Sequence, residues 1–356
     1  MRLSFNPKLR NYIRFYLGTL LLACLVTVRI WYYFTQNSIE SCRNIELNTQ
    51  ELPVIGPYIS KIHYKLSDSV YSFMPSPHAE LVLGMVLGID NFDQLPKFKD
   101  TLKRSGTVHV VVVSGFNISL VYASLIGILG SKYSGRNILI VIFCTLIYAL
   151  LAGFNPPVVR AWVMSIFSGA SAGIGQKFGT LRTLLLSVCL ISAIFPCYIL
   201  SLSFQLSSLA TLGIIMISTP IQSNLERILK IKNFFVEDFS ISLSAQIFVL
   251  PLILYVTKSV SLISLIINGL VLWTVPTITI LGFVFSLSSF INTSLTKLIM
   301  LIIYPFTFIF TKSVEILSIP LLSTISVDIT HIHLIVMYVI LGLITLRLSY
   351  KDFNAS

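Results

Sequence analysis

The sequence predicts an all-α polytopic integral membrane protein, a helical bundle of about ten crossings with broken or re-entrant helices. Three observations lead there. Of 356 residues, 55% are hydrophobic and only 11% charged, against roughly 25% charged in soluble domains. Mean hydropathy is +0.87. Apolar runs recur at the ~20-residue length of a bilayer crossing, and several carry a polar break. The broken run that organises the rest is 103–130, KRSGTVHVVVVSGFNISLVYASLIGILG. Its His109, Ser114, Gly115 and Asn117 require protein or water around them, because an unpaired polar group in hydrocarbon costs several kcal/mol.

Residues 1–14 are basic (Arg2, Lys8, Arg10, Arg14) and lead into an apolar run over 15–34. No A-x-A site follows, so the reading is an uncleaved anchor with its basic end in the cytoplasm. Leu21-Leu22-Ala23-Cys24 has the shape of a lipoprotein box, but the run continues through Trp31, Tyr32 and Phe34, where a mature lipoprotein would turn polar. Residues 35–78 form a short extracytoplasmic segment with no sustained period, too short for a robust independent domain. Residues 79–90 span half a bilayer and read as re-entrant or interfacial. In 92–104, Phe92, Leu95, Phe98 and Leu102 recur at helical spacing opposite Lys97, Lys99 and Lys103, as in a basic amphipathic helix on a membrane surface.

Further apolar runs fall at about 137–153, 158–175, 181–200, 202–219, 239–257, 260–288, 295–311 and 332–348. Pro276 divides the run at 260–288 into two short helices, and Pro196, Pro251 and Pro305 kink others. The basic tail, with Arg347 and Lys351, returns to the cytoplasm. The organisation is thus an anchor over 1–34, an outer segment over 35–78, a polytopic domain over 79–350 and a tail over 351–356.

The net charge of +11 is unevenly placed. No acidic residue lies between Asp100 and Glu226 or between Asp238 and Glu315, whereas Lys103, Arg104, Arg160 and Arg182 all fall within the first interval. Proton- and sodium-coupled pumps keep a carboxylate in the membrane, and this chain has almost none to offer. Basic residues alone suit an anion, and a polyanion best. Positive cytoplasmic loops and phospholipid headgroups are the competing account.

Arg160 is the most informative charge. It follows Asn155-Pro156-Pro157, opens an apolar helix, and either snorkels to headgroups or faces the interior to meet phosphate. His109 with Ser114 admits a hydrolase reading, but no acid stands nearby to orient the histidine. His331 and His333 lack a third metal ligand and read as interface residues. Four of the five cysteines sit in apolar runs, with Cys42 alone in a soluble loop. They form no disulfide framework or metal motif and leave the redox compartment open. Gln205, Ser207, Ser208, Gln246 and Asn268 lie within apolar runs as helix-to-helix glue or pore lining. With no GxxxxGK[ST] loop, no cofactor is expected and any driving force comes from another protein.

Taken in order, several motifs resemble the membrane domain of ComEC-type competence proteins, the DNA-uptake channel family. They are Arg104 with Ser105-Gly106-Thr107-Val108-His109, then Ser114-Gly115-Phe116-Asn117; Pro157-Val158-Val159-Arg160-Ala161; Phe204-Gln205-Leu206-Ser207; and Ala245-Gln246, Leu250-Pro251-Leu252 and Ser264 to Asn268. The resemblance covers roughly 79–290. It implies a non-enzymatic channel in the bacterial cytoplasmic membrane that passes single-stranded DNA inward. Implied partners are the strand, membrane lipids, DNA-capture proteins outside, a separate nuclease, and a cytoplasmic helicase or single-strand-binding protein. Lys103, Arg104 and Arg160 would meet phosphates, while His109, Ser114, Gly115 and Asn117 shape a constriction and Gln205, Gln246 and Asn268 line it. Phe116, Tyr122, Phe154 and Trp162 are candidate stacking rings. Asn117 stands where the family's second core histidine is expected. The OB-like and metallo-β-lactamase-like domains of larger members are not expected, the latter because its His-x-His-x-Asp-His pattern is absent. The alternatives are a channel or transporter for a small anion or lipid headgroup, and a non-conducting membrane scaffold.

Overall fold

A computed structural model describes residues 24–30, 32–35, 42, 49–129, 135–173, 178–260, 264–318, 325–326 and 328–355. The expected basic stretch 1–14 lies outside them, as do Lys132 and Lys177. Apart from short 3-10 turns, the described chain is α-helical, with one two-residue antiparallel pair, Ser259–Val260 against Ile325–Ser326.

After the helical residues 24–30 and 32–35 come α1 (Gly56–Phe73), α2 (His78–Leu87), α3 (Pro96–Ser105), the single turn α4 (Val108–Val111) and α5 (Gly115–Leu129). Proline starts α3, and α2 and α3 end on Gly88 (φ 71°) and Gly106 (φ 69°), the left-handed position that glycine adopts without Cβ strain. Next are α6 (Gly135–Leu151), α7 (Pro156–Gly173), α8 (Thr180–Ile194), α9 (Leu202–Leu229) and α10 (Phe234–Thr257). The last four are α11 (Ser264–Val271), α12 (Thr274–Ser288), α13 (Thr293–Leu317) and α14 (His331–Ala355). Asn233 and Asn292 cap α10 and α13 by accepting from Val236 N at 3.1 Å and Ser294 N at 2.8 Å, which satisfies donors left free in a first turn.

Among the described residues, α9, α10 and α13 are long and apolar enough to cross a membrane. Ten crossings are not reached by that measure, because breaks divide several runs into apolar helices of 10–17 residues. The division at 260–288 falls at Leu272-Trp273, just ahead of Pro276. Outward faces are apolar, as at Ile332, Ile335 and Leu343 on α14. In a chain of this hydropathy that surface faces lipid.

The bundle has two cores. One surrounds α2, whose ten residues are all buried against α1, α12 and α13; its centre holds Leu81, Met85, Ile278, Ile303 and Phe310. The expectation of an interfacial 79–90 is therefore corrected, since protein covers every face of α2. The other core joins α5 to α9 through Val113, Ile118, Tyr148 and Val158, then Val159, Val163, Ile191, Tyr198 and Phe204. Asn117 Nδ2 donates to Met85 O at 2.8 Å and links the two.

Two further readings change. Residues 56–73 do have a period: Ile59, His63, Leu66 and Val70 form the buried stripe of α1, hidden in the sequence because a histidine fills one apolar position. Two of the cysteines do pair, Cys42 with Cys197 across a sequence separation of 155, while Cys24, Cys144 and Cys189 are free thiols. Cys197 sits in the 3-10 turn Pro196–Leu200 between α8 and α9, outside either helix and within reach of the outer segment. The amphipathic reading of 92–104 is borne out by α3, which buries Phe98 and Leu102 and exposes Lys97 and Lys103.

His63 fixes α1 to the second core. Its Nε2 lies 2.8 Å from Leu151 O and its Nδ1 2.9 Å from Gln50 Nε2, so the neutral ring donates to the carbonyl and accepts from the amide. Burial lowers its pKa below the ordinary 6.5, and the Leu151 carbonyl opposes that only in part. The docked state thus prefers the neutral ring: its contribution is full above pH 6.5 and is lost as pH falls through the lower folded value. Amide-exchange protection across 56–73, taken relative to the intrinsic rate at each pH, is expected to fall on acidification below pH 6.5. In His63→Ala that protection is expected to be low and independent of pH over the same range.

Candidate functional site

The site forms where α7 begins. Asn155 and the two prolines suit a helix start, because proline at the first turn forfeits only a donor that has no partner there. The approach is tight, with Gly153 at φ 96° and Phe154 at φ 52°. A bulky residue held in the left-handed region carries strain and persists where its surroundings dictate it. Phe154 is fixed by packing into both subclusters of the second core and against the Trp162 ring, 6.2 Å between centroids.

One turn in, Arg160 is buried at 6% exposure. Its Nε donates to Ser207 Oγ of α9 at 2.9 Å, and Nη1 lies 3.3 Å from Met164 Sδ. Nη2 points at the start of α5, where a Cβ built on Gly115 would stand 3.4 Å from it. Among the described residues no carboxylate lies within ion-pair distance of this guanidinium.

Helix breakage supplies the rest. After α4 the chain is extended at Val112 (ψ 145°) and restarts at Gly115, as the polar break at Ser114-Gly115 predicts. The 15-residue α5 presents the positive end of its dipole where Arg160 points. A cation at a helix N-terminus opposes the dipole, whose favoured partner there is an anion. A buried guanidinium without a counter-charge adds a desolvation cost of several kcal/mol. Both costs would fall with an anion alongside, so Arg160 Nη2 and the start of α5 are a candidate anion seat. Gly115 suits this approach, because a Cβ there would stand a tight 3.1 Å from Ala161 Cβ and Pro157 O. Beside the seat, the buried Tyr148 hydroxyl faces the buried Asn117 side chain.

Other residues singled out by sequence fall elsewhere. Lys103 is exposed on α3, and Arg104 pairs with Asp100 at 2.5 Å, so that charge is balanced within its own helix. His109 belongs to α4, and its side chain lies outside those described. Ser114 closes the break. Gln205 donates to Ile199 O at 2.8 Å and holds the 3-10 turn to α9. Gln246 is half-buried on α10, and Asn268 is buried on α11 with Oδ1 unpartnered. Phe116 is 50% exposed beside the seat; Tyr122, Phe154 and Trp162 are half-buried. His331 Nε2 meets Tyr255 OH at 3.0 Å, and His333 Nδ1 meets Thr330 Oγ1 at 2.7 Å. No group of three metal-ligating side chains occurs among the described residues.

Ser207, read from sequence as helix-to-helix glue or pore lining, joins α9 to α7 by holding Arg160; sequence reasoning did not name that pairing and missed Tyr148. It also missed Glu80, a carboxylate buried at 2% exposure that accepts from Ser76 Oγ at 2.6 Å; an apolar run hides one acid well.

The family described as "Competence protein" matches residues 86–351. The chain is 27% identical over 202 residues to "ComE operon protein 3" of Bacillus subtilis (strain 168), covering 56% of this chain and 25% of that protein. It is 32% identical over 120 residues to an uncharacterized protein of Aquifex aeolicus (strain VF5), covering 32% of this chain and 27% of the relative. The chain thus spans about a quarter of the length of the curated relatives it matches. No solved structure matches it.

Proposed function

The chain belongs to the Competence protein (ComEC) family, and from that premise we propose that it conducts single-stranded DNA across the bacterial cytoplasmic membrane. The observation that supports this most directly is the seat of Arg160 Nη2 and the α5 N-terminus, which is charged to receive a phosphate and carries no carboxylate of its own. Phosphate contacts dominate the affinity of proteins for nucleic acid, and a single strand passed through a membrane must shed counterions at each step. Phe116, half exposed beside the seat, offers a ring to the base that follows.

The strand passes without chemical conversion, and the nuclease, the capture proteins outside and the cytoplasmic motor or strand-binding protein are separate partners. The Cys42–Cys197 bond supports an oxidising, extracytoplasmic location for the turn between α8 and α9. Lys230 and Lys232, beyond the far end of α9, then lie on the cytoplasmic side, in keeping with the positive-inside rule. The mouth at Arg160 faces outward in that orientation.

The test is uptake of labelled duplex DNA by cells with and without the protein, scoring bound and nuclease-protected label separately. Persistent binding with loss of protected label is the expected result. If neither changes in a host that takes up DNA, the channel reading fails and a small phosphorylated solute becomes the cargo to assay.

A further inference from the structure

The outward face of α1 has a composition that neither the fold nor the anion seat requires. Tyr58 and Tyr64 are 71% and 75% exposed. Lys61 and Lys65 are exposed beside them, as is the one acid of the helix, Asp68. The apolar stripe of α1 (Ile59, Leu66 and Val70) is already covered by protein. Lys61, Asp68 and Ser72 stand exposed opposite it, so this face meets water rather than hydrocarbon. Two large rings held out among lysines on a wet helix face are the combination that binds single strands, whose bases are free to stack while the phosphates meet cations.

Placement points the same way. His63 donates to Leu151 O, which sets α1 on the turn that runs through Gly153 and Phe154 into α7 and Arg160. The tyrosines are six residues apart, ~9 Å along the axis and about 120° around it, and Lys61 and Lys65 fall in the sector between them. Lys65 Nζ lies over the Phe290 ring, 4.2 Å from its centroid, and so is held in place next to Tyr64.

We propose that the outward face of α1 is a docking surface for single-stranded DNA, with Tyr58 and Tyr64 stacking on bases and Lys61 and Lys65 meeting the flanking phosphates. It rests on the DNA reading above and extends it from the mouth to the surface that feeds the mouth. Duplex DNA is not a ligand for the rings, because its bases are already stacked.

The probe is an oligonucleotide carrying photoreactive 5-iodouracil, single-stranded or annealed, added to the full chain in lipid nanodiscs. Crosslinks at Tyr58 or Tyr64 are expected with the single strand only. Tyr58→Ala with Tyr64→Ala is expected to weaken single-strand binding about fivefold or more, the lower end for one stacked base, with Phe at both positions restoring it. If the wild type binds the strand and Arg160→Ala weakens it, yet crosslinks avoid α1 and the tyrosine variants bind normally, the docking surface is overturned and the channel reading stands. Crosslinks from these tyrosines to headgroup-labelled lipid, with no effect on the oligonucleotide, likewise overturn it and identify an interfacial belt. A wild type that binds no strand at all removes both.

Discussion

Arg160→Ala is expected to cut nuclease-protected DNA uptake about ten- to hundredfold, the equivalent of the ~1.5–3 kcal/mol that a hydrogen bond to a charged group contributes, while membrane insertion is kept. The sign of the accompanying stability change separates this from a structural role. An arginine that held the bundle together through an ion pair would destabilise it when removed, because its partner would be left buried and charged. Among the described residues Arg160 has no such partner; its polar contacts there are Ser207 Oγ and Met164 Sδ. Its removal relieves a buried cation that costs ~2.5–3.5 kcal/mol on the gentlest insertion scale. Thermal unfolding of the purified variant is therefore expected at or above the wild-type temperature, together with the loss of uptake. Arg160→Lys keeps the charge but gives up the fork that reaches Ser207 and the seat at once, and an intermediate uptake is expected. Normal uptake at normal protein level in Arg160→Ala would remove the seat from the mechanism.

Gly213→Val is expected to produce the largest loss of stability, about 3 kcal/mol or more, beyond the usual 1–3 for overpacking because part of the clash is with backbone. A Cβ at Gly213 would stand 2.5 Å from Ser244 O and 2.8 Å from the Phe248 ring. The carbonyl belongs to the backbone of α10 and cannot rotate away, so the two helices must separate. This is a close approach of α9 to α10, two helices long enough to span a membrane, and small residues at such crossings let backbones meet. The loss is read by thermal unfolding in detergent and by new reactivity of a cysteine introduced on the buried face of α10. Gly127→Ala on α5 is the control, since a Cβ there has nothing within 4 Å; it is expected to leave stability unchanged or raise it by ~0.5–1 kcal/mol through helix propensity. Equal behaviour of the two glycine variants would refute the close-packing account.

Much of the site was legible in order but not in space. Arg160 was marked by its place in an apolar helix, but its burial was left open between snorkelling and facing inward. The Pro-Pro start of α7 and the break ahead of Gly115 are local, and each was readable from residue type. Hydrophobic period gave α3 its amphipathic character for the same reason. Ser207 could be seen in its motif but not assigned, because a serine hydroxyl has no sequence signature for the guanidinium it accepts from. Arg104, which matched the family's order as well as Arg160 did, pairs with Asp100 in the same helix, so position in a motif did not predict which cation stays uncompensated.

What the sequence determined by itself is the class of solvent and the class of structure. A chain this apolar has to satisfy its backbone hydrogen bonds within helices, wherever those helices end, and the basic excess has to meet anions. The tertiary structure alone decided that Cys42 bonds to Cys197, that α2 is enclosed by protein on every face, and that Arg160 lies against the positive end of α5 rather than beside a carboxylate. Helix formation depends on neighbours within a turn or two, whereas each of these depends on close approach of segments far apart in the chain. Such approach is set by side-chain shape, such as the missing Cβ of Gly115, which composition and period do not record.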